Sequence, residues 1–314
     1  MKRSPFLYLV LLTVAVSSAR AVDIDFDAGT RGFKFLQVHS SARDAALSGA
    51  TVSSIEQQMF SASNPAGLAT VDRFTGIGTH AEWLGAVRQE YAGLAIPAWG
   101  GGVGVTLRTQ SSGDIPLRSV PGDGGYVGVP SPQASGTYGV YDGALAIGYG
   151  KKHAGIYWGA NAKFVWEKIY LNSVTAWAFD AGAGWKIGDF TVGAVIRNIG
   201  LSNELKTESV DLPWDAQIGT SYDRKIGDTV LRGMIDLRYA PDWHESVHVG
   251  AELDFGRAFV LRSGYRSAIG ASTALDGFTY GVGMAYGLIG IDFAYIPTET
   301  GFGSEYLFTV RVTP

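Results

Sequence analysis

Cysteine is absent from the 314 residues. That excludes a disulfide framework, thiol chemistry and a lipid anchor on a processed N-terminal cysteine. Charge is scarce at 17% of residues, against roughly 25% in soluble domains. Beyond the N-terminus no run approaches the ~18 apolar residues of a membrane helix, and no helical periodicity dominates. A chain that crosses a membrane without such a helix must do so as a closed barrel, because lipid leaves no partner for open backbone. What the chain has in excess is glycine, 43 of 314 residues, about twice the usual share, together with 12% aromatics.

The pattern that remains is period two. Residues 157–167 set Trp158, Ala160, Ala162 and Phe164 against Asn161, Lys163 and Glu167. Residues 176–186 set Trp177, Phe179, Ala181 and Trp185 against Asp180 and two glycines. The same division runs through 102–109, 143–150, 230–239, 247–255 and the three C-terminal segments. Fourteen such segments lie between about residues 73 and 312, the first two (about 73–83 and 87–97) alternating poorly. Short turns at Gly150 to His153, Ile187 to Asp189, Lys225 to Asp228, Gly256-Arg257 and Gly287 alternate with longer loops at about 111–137, 168–174, 200–212, 240–246, 267–276 and 297–303. Tight turns on one side and long loops on the other are the hairpin pattern of an outer-membrane barrel. The even count puts both termini on the short-turn, periplasmic side.

Strand phase also sorts the charges. Lys163, Asp180, Arg197, Arg232, Asp236, Arg238, Glu252, Asp254, Arg262, Arg266, Asp292 and Arg311 share the face opposite the aromatics. A Lys or Arg on the lipid face at mid-bilayer costs roughly 2–4 kcal/mol, which this arrangement avoids. Gly148, Gly159, Gly182, Gly193, Gly219, Gly250, Gly264 and Gly283 sit on that same face. A solvated sheet face has no use for so many strand-weakening glycines, but a crowded lumen has. The lumenal charges either line a polar pathway or pair with one another to satisfy a packed interior. Trp83, Trp99, Trp166, Trp185 and Trp214 fall near strand ends, where interface girdles form.

The N-terminus carries targeting information. Lys2 and Arg3, an apolar stretch from Phe6 to Val16, and Ala19-Arg20-Ala21 read as a secretory signal peptide over residues 1–21. Cleavage there removes three basic residues, taking the count from 25 to 22 against 29 acidic, a net charge of −7. That balance argues against nucleic acid as a partner. Residues 22–70 are organised differently from the strands. Asp23, Asp25 and Asp27 begin like a calcium loop, but Lys34 stands where a bidentate Glu is needed. Thr30 and Ser41 are candidate caps for two short helices, the second ending at Gly49. Asn64-Pro65 opens a turn, or fixes the segment against the barrel wall.

One enzyme-like pattern occurs, His244-Glu245-Ser246-Val247-His248. A zinc site of this type needs a helix to bring its histidines onto one face. On a strand they lie some 13 Å apart, at about 3.3 Å per residue. No enzyme activity, catalytic residue, metal or cofactor is therefore expected. The proline- and glycine-rich range 111–137 is either a lid or docking element, or a disordered tip.

Gly32-Phe33-Lys34-Phe35-Leu36, the run from Ser41 to Ala50, and Asn64-Pro65-Ala66-Gly67-Leu68 resemble the N-terminal signature of PorV/PorQ-type proteins, within the wider FadL-like outer-membrane group. Asn198-Ile199-Gly200 and Leu261-Arg262-Ser263-Gly264-Tyr265 extend the likeness. It implies a monomeric 14-stranded antiparallel barrel over 71–314, with 22–70 as a helical plug in the lumen. Arg43, Gly49, Asn64, Pro65 and Gly67 would form the plug and turn motif. The resemblance further implies work in protein export or surface attachment, alongside type IX-like secretion components and exported proteins. A FadL-like transporter of hydrophobic small molecules is the second expectation, and a structural porin-like barrel in outer-membrane lipid the third.

Overall fold

The computed structural model describes residues 31–57, 62–83, 87–118, 133–205, 208–256, 259–270, 273, 276–298 and 303–314. The signal peptide, the Asp23 to Asp27 run and Thr30 lie outside them, as does most of the loop after Arg118.

Fourteen strands close on themselves. They are β1 (Thr75–Trp83), β2 (Val87–Ala98), β3 (Gly101–Leu117), β4 (Gly136–His153), β5 (Ile156–Ile169), β6 (Asn172–Ile187) and β7 (Phe190–Ser202). There follow β8 (Asp215–Ile226), β9 (Thr229–Ala240), β10 (Trp243–Asp254), β11 (Phe259–Ala268), β12 (Gly277–Tyr286), β13 (Ile289–Ile296) and β14 (Glu305–Val312). Every neighbour pair is antiparallel, and β1 meets β14 from Gly76↔Val312 to Glu82↔Tyr306. Closure leaves no sheet edge, which is what a hydrocarbon environment demands. No helix among the described residues is long and apolar enough to cross a membrane.

The outer face is the apolar one. Leu145, Ile147, Trp158, Phe164, Trp177, Phe179, Phe278, Tyr280, Phe293 and Phe308 are all exposed. Their neighbours one residue along are buried, such as Ala178, Asp180, Thr279 and Asp292.

One rim is built of tight turns. Trp99-Gly100 and Ala154-Gly155 have positive φ at both positions, and Gly188, Gly227 and Gly287 have it at the first. These conformations match the twist of two-residue hairpins. Trp99 and Trp185 stand at this turn rim. Loops lie at the opposite rim, where the structure differs from the sequence expectation in three places. β5 and β6 meet at Tyr170-Leu171, and β9 and β10 at Pro241-Asp242, where longer loops at 168–174 and 240–246 were expected. A non-glycine residue at left-handed φ, Tyr170 at 55°, closes the first turn and carries no sequence signal. The third difference is at the loop expected over 111–137, where β3 runs on to Leu117 past a register shift between Ser112 and Ile115.

The lumen is filled by the chain's own N-terminal segment. It passes from Arg31, bonded to Leu212 at the loop rim, down to Val71, which meets Gly102 at the turn rim. Its elements are a 3-10 turn (Lys34–Gln37), α1 (Ala42–Ala46), and two further 3-10 turns (Ile55–Gln57 and Pro65–Thr70). Ser41 caps α1 by accepting from the Asp44 N–H. Phe33, rather than Thr30, stands at the start of the first turn, with φ 56°. α1 lies against β11 to β14, and the Pro65 turn lies against β3 to β6 on the facing wall.

The plugged lumen as candidate functional site

Glycine on the inner wall makes the plug possible. A Cβ on Gly159 would sit 2.2 Å from the Pro65 carbonyl oxygen. One on Gly182 would lie 2.0 Å from Asn64 Oδ1, and one on Gly193 2.3 Å from the Val52 carbonyl oxygen. At Gly264 it would reach the Leu47 backbone at 2.4 Å. None of these distances is tolerable, so the plug's backbone approaches where only glycine leaves room. The remaining inner glycines divide the same way. Gly148 and Gly250 adjoin Leu68 and Leu47, while Gly219 and Gly283 make room for Asp236 and for Asp292 with Arg262.

Asn64 is fully buried at the centre of this contact. Its Oδ1 accepts from the Ala66 N–H at 3.0 Å, capping the Pro65 turn. Its Nδ2 donates to the carbonyls of Val52 at 2.9 Å, Ala183 at 3.2 Å and Ala194 at 3.4 Å. The two readings of Asn64-Pro65, turn and wall anchor, are thus one device. Gly67 donates back to the Asn64 carbonyl. Gly49, at φ 78°, presents its carbonyl to Gln217.

Charged side chains tie the plug down further. Glu252 accepts from Arg43 at 2.9 Å and Arg262 at 2.7 Å, and also from Arg232. Arg232 also reaches Asp223 at 3.0 Å, and Arg262 reaches Asp292 at 2.6 Å. Three arginines thus face three carboxylates in the half of the lumen nearer the turn rim. Asp236 accepts from the Val52 N–H and from Gln217. Lys163 pairs with Asp180 at 2.7 Å, whose other oxygen accepts from Asn161. Arg108 donates to the carbonyls of Phe35, Leu36 and Val38. Burial acts to raise the Asp44 carboxyl pKa. The ring of His39 and the Thr51 hydroxyl outweigh it and hold that carboxyl well below its ordinary range.

Two regions of the lumen differ chemically. Near the loop rim, Phe33 and Phe35 are buried in an apolar niche formed by Ala144 of β4, Val165 of β5, Val174, Ala176 and Ala178 of β6, and Leu212. Beneath them lies a polar cavity of about 70 Å³, bounded by the Leu36 to Ser40 segment, Asp44, Ser63, four arginines, Asp215, Gln217 and His248.

Of the residues singled out from sequence, most meet at the plug–wall contact. Arg197 and Arg238 converge on Asp215 at 2.5 and 3.2 Å. Asp254 and Arg311 are instead peripheral. Asp254 accepts from the Gly256 N–H in a turn, and Arg311 lies over Gly290 at the end of β14. The two histidines of the zinc-like pattern sit on β10, with His248 bonded to the Ser48 carbonyl and to Ser246. Asp44, Asp215 and Gln217 were not singled out. Asp44 sits on a short helix and Asp215 at a strand end, where strand phase gives no warning.

No protein-family model and no curated protein matches the chain. Solved structures do. The Pseudomonas putida toluene transporter TodX aligns with TM-score 0.56 at 12% identity, covering 86% of this chain and 96% of its own. The Ralstonia pickettii toluene transporter TbuX aligns at 0.54 and 11%, covering 87% and 98%. The monoaromatic hydrocarbon channel CymD aligns at 0.56 and 12%, covering 88% and 96%. At such identity the likeness establishes the fold, a closed 14-stranded barrel of the bacterial outer-membrane type. It gives the PorV/PorQ identity no support.

Proposed function

We propose that this barrel carries hydrophobic small molecules across the outer membrane and is closed at rest by its own N-terminal segment. The observation that carries the reading is the niche holding Phe33 and Phe35. It is apolar, lies near the loop rim, and is occupied by aromatic rings of a segment that is no part of the barrel wall. A porin-like role is disfavoured, because a freely conducting pore does not fill its lumen. The fold likeness to two toluene transporters and a monoaromatic hydrocarbon channel supports the same class of cargo. The charged cavity below offers an apolar molecule no favourable site.

The protein-export reading rests on residues 32–68. Arg43, Gly49, Asn64, Pro65 and Gly67 are spent on contacts inside the barrel, so their pattern reports how a plug packs rather than how a partner docks. Uptake of a labelled monoaromatic hydrocarbon by cells with and without the protein tests the proposal. Faster uptake with the protein is expected. Equal rates, together with exported proteins trapped in the periplasm of a deletion strain, would replace it with the export reading.

A further inference from the structure

The polar cavity beneath Phe33 and Phe35 carries an excess of cationic side chains. Four arginines line it, Arg108, Arg197, Arg238 and Arg266, against two carboxylates, Asp44 and Asp215. The network around Glu252, by contrast, is balanced. Neither carboxylate is free to neutralise a further cation. Asp215 already serves Arg197 and Arg238, and Asp44 accepts from Thr51 at 2.5 Å and Ser63 at 3.1 Å and bonds the His39 ring.

Arg108 spends its charge on backbone carbonyls. Arg266 makes no ion pair among the described residues. Asp276, whose charge reaches it, is engaged by the Ala268 and Thr273 N–H groups. The Nε–H groups of Arg238 and Arg266 are both buried without an acceptor. Buried guanidinium donors without partners are costly, whereas planar N–H pairs of this kind suit an anion's oxygens.

We infer that this cavity is a binding site for one small oxyanion, a phosphate or a carboxylate, held chiefly by Arg238 and Arg266. Size agrees. A volume of about 70 Å³ is less than half of the roughly 150 Å³ apolar cavity that takes up benzene, so the hydrocarbon of the transport reading does not fit there. The anion touches both wall and plug, since Arg238 and Arg266 come from β9 and β11 while His39 and Ser63 belong to the N-terminal segment. Bound, it fastens the plug to the barrel. The site stands independently of what the barrel transports.

Thermal unfolding and calorimetric titration of the full-length protein in detergent test it, with sodium phosphate or sodium acetate compared with sodium chloride at equal ionic strength. Phosphate or acetate should raise the unfolding temperature, with binding at least about tenfold weaker in Arg266→Gln and Arg238→Gln. Arg266→Gln should be as stable as the parent in chloride or more so, because it removes an unpaired buried charge. In the effective anion that order should reverse. A response to phosphate alone identifies a phosphate site, and one to acetate alone identifies a carboxylate site. No response to either, or an equal response in Arg266→Gln, overturns the inference.

Discussion

At the scale of single residues, Asn64 and the inner-wall glycine Gly182 are fitted to each other. Asn64 combines one turn-capping bond with one to the plug's own Val52 carbonyl and two to carbonyls of the adjacent strands β6 and β7. Asn64→Ala should weaken plug docking by about 2–3 kcal/mol, from a lost cap and buried carbonyls left without donors. Hydrogen exchange across residues 62–71 checks this. Protection there should fall while the β-strands keep theirs. Gly182→Ala should give the same local loss by a different cause, since its Cβ would lie 2.0 Å from Asn64 Oδ1. Unchanged protection in both variants would show that the plug is held elsewhere. The glycines were legible in the sequence as an inner-face excess, but their partner was not. A close approach of backbone to backbone leaves a mark only on the residue that makes room.

At the scale of elements, the strands were legible because an outer wall in lipid and a crowded lumen enforce alternation along each one. β1 and β2 were legible mainly through their turns. Their outward positions include Gly76, Gly78, His80, Glu82, Arg88 and Glu90, with His80 bonded to Glu90 at 2.7 Å, so the apolar half of the pattern is missing until Leu94 and Ile96. The niche was not legible, because Phe33 precedes and Phe35 lies on a four-residue 3-10 turn too short to carry a periodicity. Truncating both tests what the niche accepts. Phe33→Ala with Phe35→Ala should destabilise the docked plug by about 3–5 kcal/mol per ring, less whatever the niche recovers by collapsing. The vacated space should then bind a monoaromatic hydrocarbon. A ligand that binds the docked state stabilises it, so toluene should raise the double variant's unfolding temperature and leave the parent's nearly unchanged. An identical small shift in both proteins would mean that the rings merely pack the rim.

At the scale of the whole molecule, the barrel and its plug answer different physical demands. Closure, turns and the apolar belt satisfy the bilayer, and every backbone ladder from β1 round to β14 is made without the plug. The plug adds side-chain bonds, buried ion pairs and apolar contacts across the lumen. The two should therefore separate. Deleting residues 31–70 should leave a barrel that still folds, shown by a retained β-sheet spectrum and by slower migration once heated on a denaturing gel. It strands Glu252 with only Arg232 and Arg262, and Asp236 with only Gln217. That favours water in the lumen over a dry interior, because unpaired buried charge is expensive. Planar-bilayer conductance then gives the decisive number. The full chain should pass almost no steady current, and the deleted chain should conduct as an open pore, with selectivity for anions from Arg108, Arg197, Arg238 and Arg266. A full chain that conducts as well as the deleted one would show that its lumen is not closed by this segment. The gated-conduit reading would then give way to that of a simple pore.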